Sequence, residues 1–394
     1  MRLDLGLLKR DRLITDRPIE SLCGHHGRFT ALPTPDSAEC KPFPIHGDAS
    51  FALTMKRPLP ARSISTVRNC LVHGHSAALF TKEGFRQAVH WSALPELSLA
   101  GSSSNYSHLF QRNGDHWAFP SNPKLAATRR LKAGVLIGSR FSFNYFHFMC
   151  DSLVRALIAE EGGASDWPIV ITKSAHQIVE LLQILCPGRE IVMLEPDELV
   201  HFDNLLVPIS SSFSPDDPNL TPAAVVDAPY LPALQARLAE PKPRSRSSGK
   251  RIIYLRRLHY VAPDGSMART IVNQDEVIAT VEKFGAAVMS PEAMSAGEQR
   301  ATFHDADLVV SMAGSALANA VFCRPGTTVL VICQNQIVSP EYFGIVFDAL
   351  GLNYVVVACP PVPGTNPHVS HRSVMVDIDV LREALDAALN LART

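Results

Sequence analysis

DLVVSMAGSALANAVFCRPGTTVLVI, Asp307 to Ile332, is the stretch on which the reading of the fold turns. Leu308 to Val310 is a short apolar run, the form of a strand buried on both faces. Ser311 to Ser315 is small and contains Gly314, so the backbone there can turn and lie close to a ligand. Ser315 to Phe322 reads as a helix, Pro325-Gly326 stops it, and Thr328 to Ile332 is a second apolar strand. Strand, small-residue turn, helix and strand make one βαβ unit. Such a turn offers free backbone N–H groups and the positive end of a helix at the carboxyl edge of a parallel sheet, where phosphates bind. Many βαβ units bind nothing, so the stretch alone leaves a phosphate site open.

The chain around it has 394 residues, too many for one ordinary core, and two domains are expected. Hydrophobic residues make up 46% and charged residues 19%, a globular composition. A net charge of -1 and the lack of a long basic run give no reason to expect a nucleic-acid partner. The eight cysteines form no CxxC pair, and several lie in apolar runs where reduced core thiols are usual. That favours a reducing compartment. Cys23, His25, His26, Cys40 and His46 match no zinc spacing. The first residues, MRLDLGLLKRDRL, contain no apolar core of signal-peptide length, and no window is long enough to span a membrane. A cytoplasmic protein is expected, with peripheral contact at the inner face of a membrane left open.

Outward from the central unit the pattern divides the chain. Residues 1–130 are irregular, with a β-hairpin predicted from Ala77–Phe80 and Phe85–Val89, and are expected to pack on the first lobe. In 131–239 strands and helices alternate: AGVLIG (133–138), a helix over 139–161, then 168–172, 176–185, 190–194, 199–207 and 230–239. The Pro/Ser/basic segment 240–251 is the predicted linker. A second alternating set fills 252–375: a strand at Ile252–Leu255, a helix from Gln274 capped by Asn273, a strand at 286–289, a capping box of Ser295 and Glu298, then the central unit. Residues 376–394 are a terminal amphipathic helix. The expected fold class is therefore α/β, two Rossmann-like doubly wound domains facing a cleft in the GT-B manner, with an irregular β-containing N-terminal extension.

Two constellations carry chemistry. In NYFHFMCDSLVR, Asn144, His147, Asp151 and Arg155 recur at i, i+3, i+7 and i+11, one stripe on an otherwise apolar helix. A His, a carboxylate and an Arg kept in a row on such a helix ask for water or a ligand; the plain alternative is a solvated Asp151–Arg155 pair. Arg256 and Arg257 follow a strand directly and stand at the same sheet edge as Ser311 to Ser315, where guanidinium would meet phosphate oxygen. Asp305-Ala306-Asp307 spells DxD but precedes its strand, so it belongs at the amino edge, away from that site. Asp216-Asp217 lies between prolines, in a turn. GxGxxG, P-loop and GxSxG motifs are all missing from the sequence. What remains is a diphosphate held by arginine and backbone amides, opposite Asp151 or His147 as proton acceptor: glycosyl transfer from a nucleotide sugar, with no metal and no cofactor.

At these residues the sequence resembles glycosyltransferase family 61, in its bacterial branch of capsular polysaccharide biosynthesis proteins. NYFHFMCDSLVR (144–155), RIIYLRR with Arg269 and NQDEV (251–277), and GSALANAVFCRPGTTVLVI (314–332) carry the likeness. The resemblance implies GT-B architecture and metal-independent, inverting transfer of a hexose or pentose. The donor would be a nucleotide sugar and the acceptor a glycan or polysaccharide, with polysaccharide-assembly partners. It places Asn144, His147, Asp151 and Arg155 at the acceptor and reaction centre. It places Arg256, Arg257, Gly314, Ser315 and Asn319 on the donor, and Ser311, at the start of the same turn, is a substrate-binding candidate beside them. Many members have His before the glycine and an acid on the last strand; this chain has Ala313 and Val331 there. Those departures keep open a non-catalytic nucleotide-sugar or glycan-binding subunit, and a sugar-nucleotide epimerase is a third reading.

Overall fold

The computed structural model describes residues 27–49, 53–74, 77–81, 84–87, 111–113, 116–118, 129–139, 142, 144–174, 176–196, 198–212, 225–239, 250–257, 269–335, 340–365 and 372–392. The chain separates into two compact units, one of residues 1–37 and 58–227, the other of 38–57 and 228–394.

The first unit is built on a mixed sheet. Its strands are β1 (Arg28–Leu32), β2 (Arg62–His73), β3 (Ala78–Thr81), β4 (Gly84–Gln87), β5 (Arg129–Leu136), β6 (Ile169–Thr172), β7 (Ile191–Leu194) and β8 (Leu199–Ile209). They lie in the order β7-β6-β5-β8-β2-β3-β4, with β1 paired beside β2. β5, β6, β7 and β8 are mutually parallel, and β2 runs antiparallel to β8 over a long ladder. Helix α1 (Leu153–Glu161) packs on β8, and α2 (His176–Leu185) connects β6 to β7. In chain order the parallel strands read 3-2-1-4, so the order reverses between β5 and β8. A ligand crevice in an open α/β sheet lies at such a reversal, beyond the carboxyl ends of the strands.

The second unit carries a parallel sheet of β9 (Ile252–Leu255), β10 (Ala286–Met289), β11 (Leu308–Met312), β12 (Thr328–Gln334) and β13 (Asn353–Cys359), ordered β10-β9-β11-β12-β13. IIYL, LVVSM and TVLVICQ are buried at every position, as strands covered on both faces must be. Alternate residues Leu308, Val310, Met312, Leu330, Ile332, Val355 and Val357 share one core with Val277 and Val281 of α4 (Gln274–Lys283) and Leu381 and Leu385 of α7 (Ile378–Leu391). Helix α6 (Pro340–Ala349) meets the sheet through Phe347, whose ring lies 5.0 Å edge-on from Tyr354. The reversal here falls between β9 and β11.

Several expectations are corrected. The N-terminal region does not pack wholly on the first lobe: Ile45–Gly47 adds to β13 as a sixth parallel strand, and 38–57 belong to the second unit. A three-residue strand has no period to show in sequence. The arm is held by a buried ion pair, Arg57 Nη2 to Glu341 Oε1 at 2.7 Å. Gly344 lets it approach, because a Cβ there would run into Cys40 Sγ. Helix α3 (Leu231–Leu238), expected in the first lobe, belongs to the second, where Gln235 Nε2 donates to Cys323 O at 2.8 Å. The units therefore divide at Asp227 rather than in the predicted linker, of which 240–249 lie outside the described residues. Asn273 does not cap α4 through its side chain; its amide instead bridges both backbone groups of Val376. The Ser295–Glu298 capping box opens α5 (Ala296–Asp305) with both of its bonds formed. Ser315–Phe322 is a 3-10 helix.

The Arg57–Glu341 pair sets a test of the arm. Arg57→Met strands a buried carboxylate and should cost about 3–5 kcal/mol of stability. The double change Arg57→Met with Glu341→Leu should recover most of it, as read from urea unfolding midpoints.

Candidate functional site

In the first unit the candidate residues sit on the segment that leaves β5. Asn144 caps it, its Oδ1 accepting from Phe146 N at 3.0 Å. The segment is not one regular α-helix. After one turn over Tyr145–His147, Phe148–Ser152 is π-helical, with Leu153 N–H donating to Phe148 O, and α1 follows. A wide turn underwinds the helix, so residues before and after it no longer share one narrow stripe. Asn144 and His147 are accordingly part-exposed, whereas Asp151 is 2% and Arg155 1% exposed.

Arg155 is spent on the chain itself. Its Nε donates to Pro208 O at 2.7 Å, Nη1 to Ile137 O at 2.9 Å and Gly138 O at 3.0 Å, and Nη2 to Leu136 O at 2.8 Å. The β5–β8 ladder ends at Val135 and Leu206, so the guanidinium fills the gap where the two strands part. Burial pushes its pKa down to about 10, with Asp151 opposing. Asp151 Oδ1 accepts from the Ser210 hydroxyl, just beyond β8. Burial pushes the Asp151 carboxyl above the ordinary carboxylate range, while Arg155, the Ser210 hydroxyl and His147 pull it back.

In the second unit the two arginines after β9 part company. Arg256 is exposed, its N–H donating to Met289 O at 2.8 Å. Arg257 turns inward: a Cβ on Gly314 would stand 3.4 Å from its Nη1. Gly314 is extended, with φ 174°, so space beside the guanidinium rather than backbone strain is what a side chain there would take. Among the described residues Arg257 Nη1 is buried with no hydrogen-bond partner. Burial lowers the Arg257 pKa, and burial with the Arg257 charge lowers Arg269 to about 10. Arg257, Arg269 and the Gly314 bend thus converge at the β9–β11 reversal. Ser315 is part-exposed at the start of the 3-10 helix, whose first N–H groups have no intrahelical acceptor. Asn319 is fully buried, and the Ser311 hydroxyl donates to Met312 O at 2.9 Å.

A family model described as Glycosyltransferase 61 matches residues 145–330, a span that runs from the π-helical segment through the Gly314 bend. Residues 145–330 belong to glycosyltransferase family 61. No curated protein matches the sequence. Among solved structures, the chain is similar to the iron-containing dodecameric glycosyltransferase TibC of enterotoxigenic E. coli H10407, at 11% identity over 73% of this chain and 80% of that one, TM-score 0.29. A second structure, dodecameric iron-containing heptosyltransferase TibC with ADP-D-beta-D-heptose, gives 11% identity over 77% and 81%, TM-score 0.26. At such scores the likeness carries nothing further for this chain.

Within the family 61 region, the DxD carboxylates are held at the amino end of β11. Asp305 pairs with Arg251 Nη1 at 2.6 Å, and Asp307 accepts from Arg251 N at 2.9 Å and lies 3.3 Å from Arg324. Asp216-Asp217 lies outside the described residues. Sequence reasoning missed the serine cluster after β8. Beside Ser210, Ser211 N donates to Asp227 Oδ2 at 2.8 Å, and Asp227 is buried against Arg62, whose Nε lies 2.9 Å from the same oxygen. The run SSS at 210–212 was the one available signal. No helix among the described residues is long and apolar enough to cross a membrane.

The raised Asp151 pKa fixes the sign of a linkage. Between the ordinary value of 3.8 and the folded value, the native state holds a proton that the unfolded chain has released. Stability therefore falls as pH rises through that window. Asp151→Asn should remove this fall, measured as urea midpoints from about pH 4 to about pH 8.

Proposed function

We propose that this family 61 chain is a GT-B glycosyltransferase that moves a sugar from a nucleoside diphosphate donor to a hydroxyl of a glycan or polysaccharide, with inversion and without a metal ion. The observation that supports it most is the buried Nη1 of Arg257, without a hydrogen-bond partner among the described residues, against Gly314 at the sheet reversal of the second unit. A guanidinium N–H, a neighbouring Arg269 and the open end of a 3-10 helix suit a diphosphate, whose charge grows as it leaves. Asp151 is the general base and His147 the second candidate. As the acceptor oxygen attacks the anomeric carbon, the Asp151 carboxylate takes the hydroxyl proton. The electron pair of the broken bond goes to the diphosphate beside Arg257. Arg155, Ser210 and His147 each pull the Asp151 pKa back down against its burial, toward the ionised form that a base requires. A bacterial, cytoplasmic role beside polysaccharide-assembly partners at the membrane belongs to the same proposal.

Two positions favour a second reading, a non-catalytic nucleotide-sugar-binding subunit. Ala313 brings no imidazole to the bend and its N–H is spent on Ile332 O at 2.8 Å, while Val331 is an apolar residue fully buried in β12.

A thermal-shift screen with nucleoside diphosphates separates these readings from no binding. Ligand at a hundred times Kd should add about 2.7 kcal/mol of stability. Arg257→Gln should abolish the shift. Asp151→Asn should keep the shift and lower transfer about 10²- to 10⁴-fold, across a panel of donors and acceptors. A donor shift with no turnover in the native chain points to the binding subunit, and no shift at all sinks both.

A further inference from the structure

The segment that carries Asp151 grips β8 at two points. Asp151 and Arg155 lie one turn apart, and their partners Ser210 and Pro208 lie two residues apart on the outgoing strand. Arg155 also holds Leu136, Ile137 and Gly138, so the strand end that presents Ser210 is tied to the end of β5. Ser210 is 4% exposed and its hydroxyl donates to Asp151 Oδ1. The next serine is anchored separately, Ser211 N on Asp227, itself paired with Arg62. The Ser210 side chain is therefore not free to swing away from the carboxylate.

We propose that Ser210 is a positioning residue for Asp151: its hydroxyl fixes the plane of the carboxylate and favours its ionised form. The catalytic consequence rests on the reading of Asp151 as the base. The charged and titratable groups facing Asp151 are His147, Cys150 and Arg155 on its own segment. The end of β8 brings the Ser210 hydroxyl, and behind Ser211 lies the Asp227–Arg62 pair. Arg155 and His147 supply positive charge, but Ser210 supplies the directed donor. A neutral carboxylic acid does not need that donor to the same degree, so the hydroxyl favours the anion.

The test needs no substrate. Urea midpoints against pH are compared for the native chain, Ser210→Ala, Ser210→Thr, Asp151→Asn and the double variant. Ser210→Ala should move the pH window of stability loss to higher pH, Ser210→Thr should restore it, and on Asp151→Asn the serine change should leave the pH dependence unaltered. An unshifted window in Ser210→Ala, or a shift that persists without Asp151, overturns the inference. In a protein that turns over a nucleotide sugar, Ser210→Ala should also raise the acid limb of kcat/KM and lower its neutral-pH value about 10- to 100-fold. A shifted window in a chain that transfers no sugar upholds the contact and overturns the use of Asp151 as base.

Discussion

The Arg155 guanidinium, buried on four backbone carbonyls where β5 and β8 diverge, is the contact on which the first unit depends. Parallel strands that part leave carbonyls without a ladder partner, and here they belong to buried residues. A buried acceptor left alone costs about 1–3 kcal/mol. A single planar fork with five N–H donors meets several such acceptors at once, which an ammonium could not do. Burying its charge is itself expensive, and the Asp151 carboxylate one turn earlier offsets part of that cost. The same carboxylate is thereby fixed beside the strand ends, so the seam of the sheet and the candidate base come from one requirement.

Each unit places its candidate residues at a reversal of strand order. In the first, the reversal between β5 and β8 is closed by side chains of the segment that leaves β5. In the second, the reversal between β9 and β11 is lined by Arg257 and the Gly314 bend. The topology explains why residues far apart in sequence recur at these two edges: the carboxyl ends of the diverging strands are the places where chain leaves the sheet without a neighbour to cover it.

What the sequence disclosed follows the range of the forces involved. Strands such as Ile252–Leu255 and Leu308–Met312, helix α2 and the Ser295–Glu298 box were legible because apolar runs and caps are local signals. The π-helical turn was not, since Phe148–Ser152 are buried all round and a segment buried on every side shows no amphipathic period to interrupt. Asn273 looked like a cap because its rival partner, Val376, is 103 residues away. Ser210, Asp227 and Arg62 were invisible for the same reason: each is unremarkable until strands distant in sequence bring it beside a buried charge. The stripe of Asn144, His147, Asp151 and Arg155 was found as a row of polar residues, but its parts do different things.

Arg155 and Arg257 differ in how far the fold has already engaged their charge. Arg155 has every nitrogen engaged by the chain and a carboxylate within one turn, so its charge is committed to the fold. Among the described residues Arg257 has Nη1 buried without a hydrogen-bond partner, with the Glu292 charge favouring its ionised form and the Arg269 guanidinium near enough to feel its charge. Like charges brought together out of water cost free energy, which an opposite charge nearby offsets. Gly314 leaves space beside Arg257 Nη1, because a methyl at that position would lie in van der Waals contact with it. Sequence alone set Arg155 and Arg257 on an equal footing; the difference lies in which of them the fold has already satisfied.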